Sequence, residues 1–235
     1  MNKQSILNEV KTSLKKLNSN KPFTNFNIKL SHEEINNLSN IRIDTPKVYD
    51  NFGKLDNLTN ELDEFIKSLN QNNNRVSQSI ATLIKELVND VTLGFEKATA
   101  WVTVRASIAT DLWDIPRWHT DGYYYSPYIG EQYKVVITLK GSASLFYPLS
   151  HDLREKFYSL QFDPENRETI ANMLDVTQSF SALPMQEGTI YIVGTNYSAV
   201  HSEPPIHEER LFLSIVPGNK SEIQELYNNW EQGQE

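Results

Sequence analysis

The amino-acid sequence predicts an α+β fold in which a helical first part precedes a β-sandwich or barrel. Apolar residues recur at helical spacing as far as Gly94. After Gly94, short segments rich in β-branched and aromatic residues dominate, which is typical of strands. Of the 235 residues 39% are apolar, so a single domain of this length can bury a substantial core.

The first 95 residues contain four helical patterns. A capping-box pattern at Ser31 and Glu34 begins the second of them. The fourth has the strongest amphipathic periodicity in the chain, and an Asn-rich break at residues 70–74 precedes it. The four predicted helices cover residues 6–17, 31–38, 55–70 and 76–94.

The rest of the chain contains six predicted strands and three short helices. The strands are residues 99–109, 132–140, 143–147, 176–180, 188–194 and 210–217. Helices are expected after Ser150, after Asp163-Pro164, where proline takes the first helical position, and at residues 221–230. We therefore divide the chain into a helical N-terminal extension, residues 1–95, packed on a core of residues 96–235 that ends in a helix.

The acidic composition excludes several classes of function. The formal net charge is −8 and the sequence pI is about 5.2, whereas nucleic acids and anionic membranes attract basic surfaces. Cysteine is absent, so a metal would have to be held by His, Asp, Glu or Tyr. The first 20 residues lack the apolar core of a signal peptide, and no stretch approaches the ~20 apolar residues of a membrane span. We expect a cytoplasmic location, with export by a dedicated secretion system left open.

Three histidine-x-acid pairs occur among the five histidines: His32/Glu34, His119/Asp121 and His207/Glu209. Residues two apart on a strand point the same way, so such a pair can supply two ligands to one metal. In the first pair, Glu34 already belongs to the capping box. The third lies in the polar segment PPIHEER, which reads as a solvated turn. The middle pair follows the predicted strand 99–109 and precedes the predicted strand 132–140.

A more distant segment of the chain can supply the third ligand of a metal site that begins with His119 and Asp121. His201 ends the strand-like segment GTIYIVGTNYSAVH, and Arg210 opens the next predicted strand. By strand alternation Arg210, Phe212 and Ser214 share one face. Two imidazoles and one carboxylate on one side of a metal form the facial triad that suits a non-haem Fe(II) oxygenase.

In this order the residues resemble the motif of the Fe(II)/2-oxoglutarate-dependent dioxygenases: His-x-Asp, a long interval, a distal histidine and then a basic residue. The segment KVVITLKGSASLFYP resembles the strand pair after the first motif in prolyl-hydroxylase-like members, and MQEGTIYIVGTNYSAVHSEPP resembles the glycine turn and strand that lead to the distal histidine. The run from His201 through Pro204 to Arg210 resembles the distal motif of the prolyl-hydroxylase and phytanoyl-CoA-hydroxylase branches. The resemblance covers about residues 99–217 and implies a double-stranded β-helix, which is a jelly-roll or cupin-like core. The tyrosine-dense loop GYYYSPYIGEQ matches no particular branch, and Phe212 departs from the plant-type Arg-x-Ser.

The resemblance implies that His119, Asp121 and His201 bind Fe(II) and that 2-oxoglutarate chelates this iron. Dioxygen would then oxidise the substrate, usually by hydroxylation, while 2-oxoglutarate becomes succinate and carbon dioxide. Arg210 would bind the far carboxylate of 2-oxoglutarate, since guanidinium forms two hydrogen bonds with a carboxylate and stays charged when buried. Lys134 is the alternative anchor, because a JmjC-like branch uses a lysine on the equivalent strand. The substrate (a small molecule, an amino acid or a protein side chain) and the oligomeric state are left open.

Each of these residues also has a structural interpretation. Asp121 could cap a turn at Gly122, Arg210 could pair with Glu208 or Glu209, and Lys134 could be a charge at a strand edge. The aromatic residues near the first motif could be packing residues or pocket walls: Trp113, Trp118, Tyr123, Tyr124, Tyr125 and Tyr128.

Three other functions stay open. The first is a cupin-like protein that binds a metal or a ligand without redox chemistry. The second is an oxygenase with the same triad that does not use 2-oxoglutarate. The third is a helical interaction protein carrying a β-sandwich, which would require His119 and His201 to lie far apart.

Overall fold

The computed structural model of this protein describes residues 3–54, 58–69 and 74–232. It has a mixed α/β architecture with an antiparallel six-stranded sheet. The helices are α1 Lys3–Leu14, α2 His32–Asn40, α3 Thr59–Leu69, α4 Asn74–Gly94, α5 His151–Leu160, α6 Arg167–Met173 and α7 Lys220–Gln232. The strands are β1 Phe23–Asn27, β2 Lys47–Lys54, β3 Thr99–Ser107, β4 Gln132–Lys140, β5 Leu145–Tyr147, β6 Glu187–Val193, β7 Val200–Ser202 and β8 Arg210–Gly218.

The strands form one large and one small sheet. The large sheet has the order β1-β6-β4-β8-β3-β2, with every neighbouring pair antiparallel. The small sheet pairs β5 with β7. Two isolated bridges extend it, Phe146 with Phe180 on one side and His119 with His201 on the other. The small sheet therefore brings four short segments side by side.

The two faces of the large sheet have different chemistry. On β8, Leu211, Leu213 and Ile215 belong to the main apolar core, which they share with the helices. Arg210, Phe212 and Ser214 line a cavity on the opposite face, which confirms the shared face predicted for them. One face of the sheet thus supports the fold and the other is free to carry polar chemistry.

Helix α4 is the centre of the helical layer on the core face, where it contacts α1, α2 and α3. Its apolar stripe, including Ile80, Ile84, Leu87 and Val91, is fully buried. Burying each such side chain contributes about 1.5–3 kcal/mol to folding. This layer covers the hydrophobic face of the sheet and fixes its position.

The predicted helices are confirmed within the described residues. The capping box of α2 is present, because Ser31 Oγ accepts a hydrogen bond from the Glu34 amide at 3.2 Å and the Glu34 carboxylate accepts one from the Ser31 amide at 2.6 Å. The parts of the predicted helix 55–70 and of the Asn-rich break that fall on residues 55–57 and 70–73 lie outside the described residues. The helix predicted after Asp163-Pro164 begins with a 3₁₀ turn before α6.

Four predicted strands are confirmed with small changes at their ends, namely β3, β4, β6 and β8. The strand predicted at 143–147 shortens to β5. The strand predicted at 176–180 is wrong, because Val176–Gln178 forms a 3₁₀ turn. Asp175 accepts hydrogen bonds from the Thr177 amide at 2.9 Å and hydroxyl at 2.7 Å, and this local side-chain bonding favours a turn over a sheet.

Helical periodicity in the first 95 residues did not predict β1 and β2. Both are edge strands of the large sheet, and residues of low strand propensity occur in each, namely two Asn in β1 and Lys, Asp, Asn and Gly in β2. The first 95 residues therefore contribute strands as well as helices, and a division of the chain at residue 95 stays a prediction. Within the described ranges, no helix is long and apolar enough to cross a membrane.

The close packing of β1 on β6 gives a testable prediction at Gly188. A Cβ atom there would lie 2.5 Å from Phe26 Cζ and 2.9 Å from Ile137 Cγ1, and both side chains are buried. Gly188→Ala should therefore lower the free energy of unfolding by about 1–3 kcal/mol through overpacking. Gly122→Ala is the matched control, since a Cβ there meets nothing within 4 Å. Equal urea midpoints for the two variants would contradict this packing.

Candidate metal centre

The three predicted metal ligands converge on one point. His119, Asp121 and His201 each offer a ligand atom, and these atoms all lie within 4.8 Å of one another. His119 Nε2 lies 4.0 Å from Asp121 Oδ1, and His201 Nε2 lies 3.6 Å from Asp121 Oδ2. Side chains that are far apart in the sequence therefore form one compact donor cluster.

Backbone pairing brings the two histidines together. The His119 amide donates to the His201 carbonyl at 3.0 Å, and the His201 amide donates to the His119 carbonyl at 2.9 Å. This reciprocal pair is an antiparallel bridge at the margin of the small sheet. As a result the two imidazole rings lie 4.3 Å apart, centroid to centroid.

The hydrogen bonds of the two Nδ1 atoms determine which ring nitrogen of each histidine carries a proton. His119 Nδ1 lies 2.8 Å from the Arg117 carbonyl, and His201 Nδ1 lies 3.2 Å from the Ala199 carbonyl. A carbonyl only accepts hydrogen bonds, so each Nδ1 must carry the proton. This leaves Nε2, the nitrogen that faces Asp121, as the atom of each ring that can bind a metal, which is the arrangement of a metal-ligating histidine with a backbone partner.

The electrostatics keep the donors in the forms that bind metals. Burial opposes ionisation of Asp121, but the Lys134 ammonium and the two histidines hold the pKa of this carboxyl well below its usual range. Burial, with a contribution from His119, lowers the pKa of His201 to about 4. At neutral pH the cluster therefore contains an ionised carboxylate and a neutral His201 imidazole.

Two further side chains orient the carboxylate. Lys134 Nζ donates to Asp121 Oδ2 at 3.1 Å, and the Tyr191 hydroxyl donates to the same oxygen at 2.9 Å. Oδ1 is left on the side of His119. Burial and the nearby Asp121 raise the pKa of Tyr191 well above its usual value, so its hydroxyl stays protonated and remains a donor.

The donor set fits a divalent transition metal. Two neutral imidazoles and one carboxylate suit Fe(II), and three protein donors leave further coordination positions for small ligands. The orienting hydrogen bonds on all three side chains are those expected around a metal site.

The cluster lies in a cavity of about 470 Å³ between the two sheets. This volume falls in the usual range of small-molecule sites, about 300–1,000 Å³. Phe146 and Tyr191 form part of its apolar wall, with ring centroids 5.1 Å apart. The ring of Phe146 also stacks on His201 at 5.7 Å.

Arg210 is a buried cation in the wall of this cavity. Only 2% of the residue is exposed. Its Nε donates to the Ser142 carbonyl at 2.8 Å, its Nη2 donates to Ser144 Oγ at 3.2 Å, and its guanidinium carbon lies 4.3 Å from the centroid of the Phe212 ring. Burial lowers the pKa of Arg210 to about 10. Because no ion pair involves Arg210 within the described ranges, it is a buried charge that an anionic ligand would neutralise.

The structural alternatives for these residues do not agree with the contacts. Glu209 pairs with Lys140 at 2.7 Å instead of with Arg210. Lys134 lies on β4, an interior strand of the large sheet, and so is not an edge charge. The side chain of Asp121 accepts from Lys134 and Tyr191 and has no capping bond at Gly122 in the described structure.

The other two histidine-x-acid pairs have no metal-site geometry. Glu34 is committed to the α2 capping box, and His207 is exposed. Among the aromatic residues near the first motif, only Tyr124 lines the cavity. Trp118 packs in a separate apolar cluster, and Tyr125 packs against α7.

The cavity residues that sequence reasoning missed include Asp50, Trp101, Arg105, Tyr191 and Glu203. The alternation of β3 and β6 was a signal for three of them, because Trp101 and Arg105 share one face of β3 and Tyr191 alternates with the core residues of β6. Asp50 lies on β2, which was not predicted as a strand. Glu203 follows β7 and forms an ion pair with Arg117 at 2.9 Å.

Comparison with known proteins gave matches in structure only. No family model and no curated protein matches the sequence. A prolyl 4-hydroxylase from Phytophthora capsici matches with a TM-score of 0.47 and 11% identity, over 92% of this chain and 64% of that one, so the chain spans less than two thirds of it. A Trichoplax adhaerens prolyl hydroxylase, solved with a hypoxia inducible factor peptide fragment, matches with a TM-score of 0.47 and 12% identity, over 94% of both chains.

A full-length protein from Neurospora crassa, solved in complex with alpha-KG, matches with a TM-score of 0.42 and 9% identity, over 90% of this chain and 78% of that one. Two of these three structures are prolyl hydroxylases.

Loss of one imidazole should abolish metal binding without unfolding the protein. His119→Ala should abolish Fe(II) binding, measured by anaerobic titration of the apoprotein, while circular dichroism and the urea midpoint stay close to those of the wild type. The ring of His119 contributes to the cavity and not to the main core, so little packing is lost. His207→Ala, at an exposed site, is the control and should bind Fe(II) normally. Unchanged Fe(II) affinity in His119→Ala would refute the ligand set.

Proposed function

We propose that this protein is an Fe(II)- and 2-oxoglutarate-dependent dioxygenase that hydroxylates a small molecule or an amino-acid or protein side chain. One observation carries the proposal. A single cavity joins a His-Asp-His cluster, whose donors are oriented by hydrogen bonds, to a buried arginine without an acidic ion-pair partner in the described residues. A metal and a dicarboxylate would satisfy both features at once.

The proposal includes a double-stranded β-helix core for residues 96–235. The small sheet packs on the polar face of the large sheet through Phe146, Tyr191 and Val136, which form one apolar cluster. Two facing antiparallel sheets with the metal site between them are consistent with a jelly-roll core. The strands β1 and β2 then extend its larger sheet at both edges.

In this proposal His119, Asp121 and His201 hold Fe(II), and Arg210 binds the far carboxylate of 2-oxoglutarate. Arg210 is favoured over Lys134 because Lys134 is already paired with the ligand carboxylate at 3.1 Å. Arg210 has only neutral oxygen acceptors, at Ser142 and Ser144, so its remaining N–H groups are available for a carboxylate. Arginine also provides the planar, two-pronged geometry that a carboxylate accepts.

Bound together, Fe(II) and 2-oxoglutarate would supply the activation of dioxygen needed for hydroxylation. The protein's own residues perform binding and positioning. Lys134 and Tyr191 hold the ligand carboxylate in one orientation, and the backbone carbonyls of Arg117 and Ala199 hold the imidazoles. The rings of Phe146 and Tyr191 exclude water from the His201 side of the cavity. A cytoplasmic location remains an expectation from the sequence.

An anaerobic titration of the apoprotein with Fe(II) and then with 2-oxoglutarate tests the function without a known substrate. The chelate should give a weak visible charge-transfer band, and this band should be absent in His119→Ala. Iron binding without a band would leave the triad in place but refute the use of 2-oxoglutarate. Absence of metal binding would indicate a binding or structural protein instead of an enzyme.

Arg210→Gln should separate cosubstrate binding from metal binding. The amide keeps polar contact with the Ser142 carbonyl but lacks the charge, so the affinity for 2-oxoglutarate should fall by roughly 30-fold or more, as expected when a buried charge pair loses one partner. Fe(II) affinity should stay unchanged, because Arg210 is not a ligand. The measurement is the 2-oxoglutarate dependence of the charge-transfer band at saturating Fe(II).

Lys134→Gln is the comparison for that experiment. If Lys134→Gln weakens 2-oxoglutarate binding more than Arg210→Gln does, the anchor has been assigned to the wrong residue. Because Lys134 contacts Asp121, we expect its substitution to act mainly on Fe(II) affinity.

A further inference from the structure

Four charged side chains of the cavity form two ion pairs. Lys134 pairs with Asp121, and Arg117 pairs with Glu203. Arg210 is assigned to the cosubstrate in the proposed function. Two charges are left at the cavity wall, Asp50 on β2 and Arg105 on β3, and neither has an ion-pair partner in the part of the chain that the structure describes.

Asp50 is held in one orientation although it has no cationic partner. Its Oδ1 accepts hydrogen bonds from Trp101 Nε1 at 2.9 Å and from Thr103 Oγ1 at 2.6 Å. Both donors act on the same oxygen, so Oδ2 is left without a hydrogen bond in the described structure. A carboxylate oriented by two neutral donors and lining a cavity is suited to receive a cation.

Trp101, whose Nε1 donates to Asp50, belongs to a group of aromatic rings in the cavity wall. Trp101 lies 5.3 Å from Trp230 and 5.7 Å from Tyr124, centroid to centroid, and all three line the cavity. The faces of such rings attract ammonium groups within about 6 Å. This part of the wall therefore combines a carboxylate with neighbouring aromatic rings, the two kinds of group that attract an ammonium ion.

Arg105 provides the opposite charge on the same wall. In the β2–β3 pair, Asp50 lies opposite Thr103 and Val48 lies opposite Arg105, so Asp50 and Arg105 are diagonal neighbours. Diagonal neighbours on one face of a sheet have side chains about 7–8 Å apart at their base. The guanidinium is exposed at this wall and is suited to bind a carboxylate with two hydrogen bonds.

We infer that the substrate is a free α-amino acid bound as a zwitterion, with its ammonium group at Asp50 and its carboxylate at Arg105. The ammonium and carboxylate groups of an α-amino acid are both attached to the α-carbon. With one hydrogen bond at each end, such a molecule can bridge the diagonal pair Asp50 and Arg105. The amino-acid side chain would extend towards the metal centre. This inference rests on the proposed function and names its substrate class.

Calorimetric titration of the Fe(II)- and 2-oxoglutarate-loaded protein, without dioxygen, with each of the twenty L-amino acids tests the inference. At least one should bind. Its N-acetyl derivative lacks the positive charge and its amide lacks the negative charge, so each should bind roughly ten-fold more weakly or worse. Equal affinity of the doubly blocked N-acetyl amide would overturn the inference and indicate a peptide substrate, and so would binding of none of the twenty.

Two variants assign the charges separately. Asp50→Asn should lower the affinity for the free amino acid. It should leave the affinity for the N-acetyl derivative unchanged, because that derivative has no ammonium group for Asp50 to bind. Arg105→Gln should lower the affinity for the free amino acid but leave the affinity for its amide unchanged, because the amide has no carboxylate for Arg105 to bind. Arg75→Gln, an exposed arginine remote from the cavity, is the matched control. Variants that bind the free amino acid as the wild type does would overturn the assignment.

The charge-transfer band distinguishes this inference from the function on which it rests. Both variants should keep the band with Fe(II) and 2-oxoglutarate at wild-type cosubstrate affinity. A band without amino-acid binding refutes only the inference, whereas absence of a band in the wild type refutes the proposed function. Weaker 2-oxoglutarate binding in Arg105→Gln would assign this arginine to the cosubstrate and overturn its role here.

Discussion

The pair of backbone hydrogen bonds between His119 and His201 is the interaction on which the candidate site depends. Each bond is part of an antiparallel bridge, so it fixes both the distance between the two segments and the side on which their imidazoles lie. Asp121 joins the same cluster from two residues further along the chain. The hydrogen bonds to Asp121 and to the two imidazoles then orient the ligand atoms, but the backbone bridge is what brings the two histidines together.

The large sheet separates the demands of folding from those of chemistry. Its core face carries aliphatic residues that pack on the helices, while the opposite face carries Arg210, Lys134, Tyr191 and Asp50 around the cavity. Strand alternation permits this division, because each second residue can be polar without affecting the core. The free-energy cost of burying the charge of Arg210 is therefore confined to the face that does not pack on the helices.

How much of this could be predicted differs between elements. The amphipathic stripe of α4 and the alternation of β3, β4, β6 and β8 are strong local signals, and the chain order of His119, Asp121, His201 and Arg210 predicted which residues meet. The edge strands β1 and β2 lack such signals, because pairing with the sheet and not local propensity makes them strands. Asp50 was missed for that reason, and the turn at Val176–Gln178 was mistaken for a strand because one aspartate outweighs its β-branched neighbours.

The edge position of β2 has a consequence for how such a protein can diverge. This strand is paired on one side only, with β3, and its other contacts on the cavity side are with α7, so a substitution on this face leaves the metal cluster and the helical layer around α4 in place. Residues that are tolerant of change in this way are where new specificities arise most readily during evolution, since altered recognition then carries little penalty in stability. We therefore expect related chains to vary first along this margin.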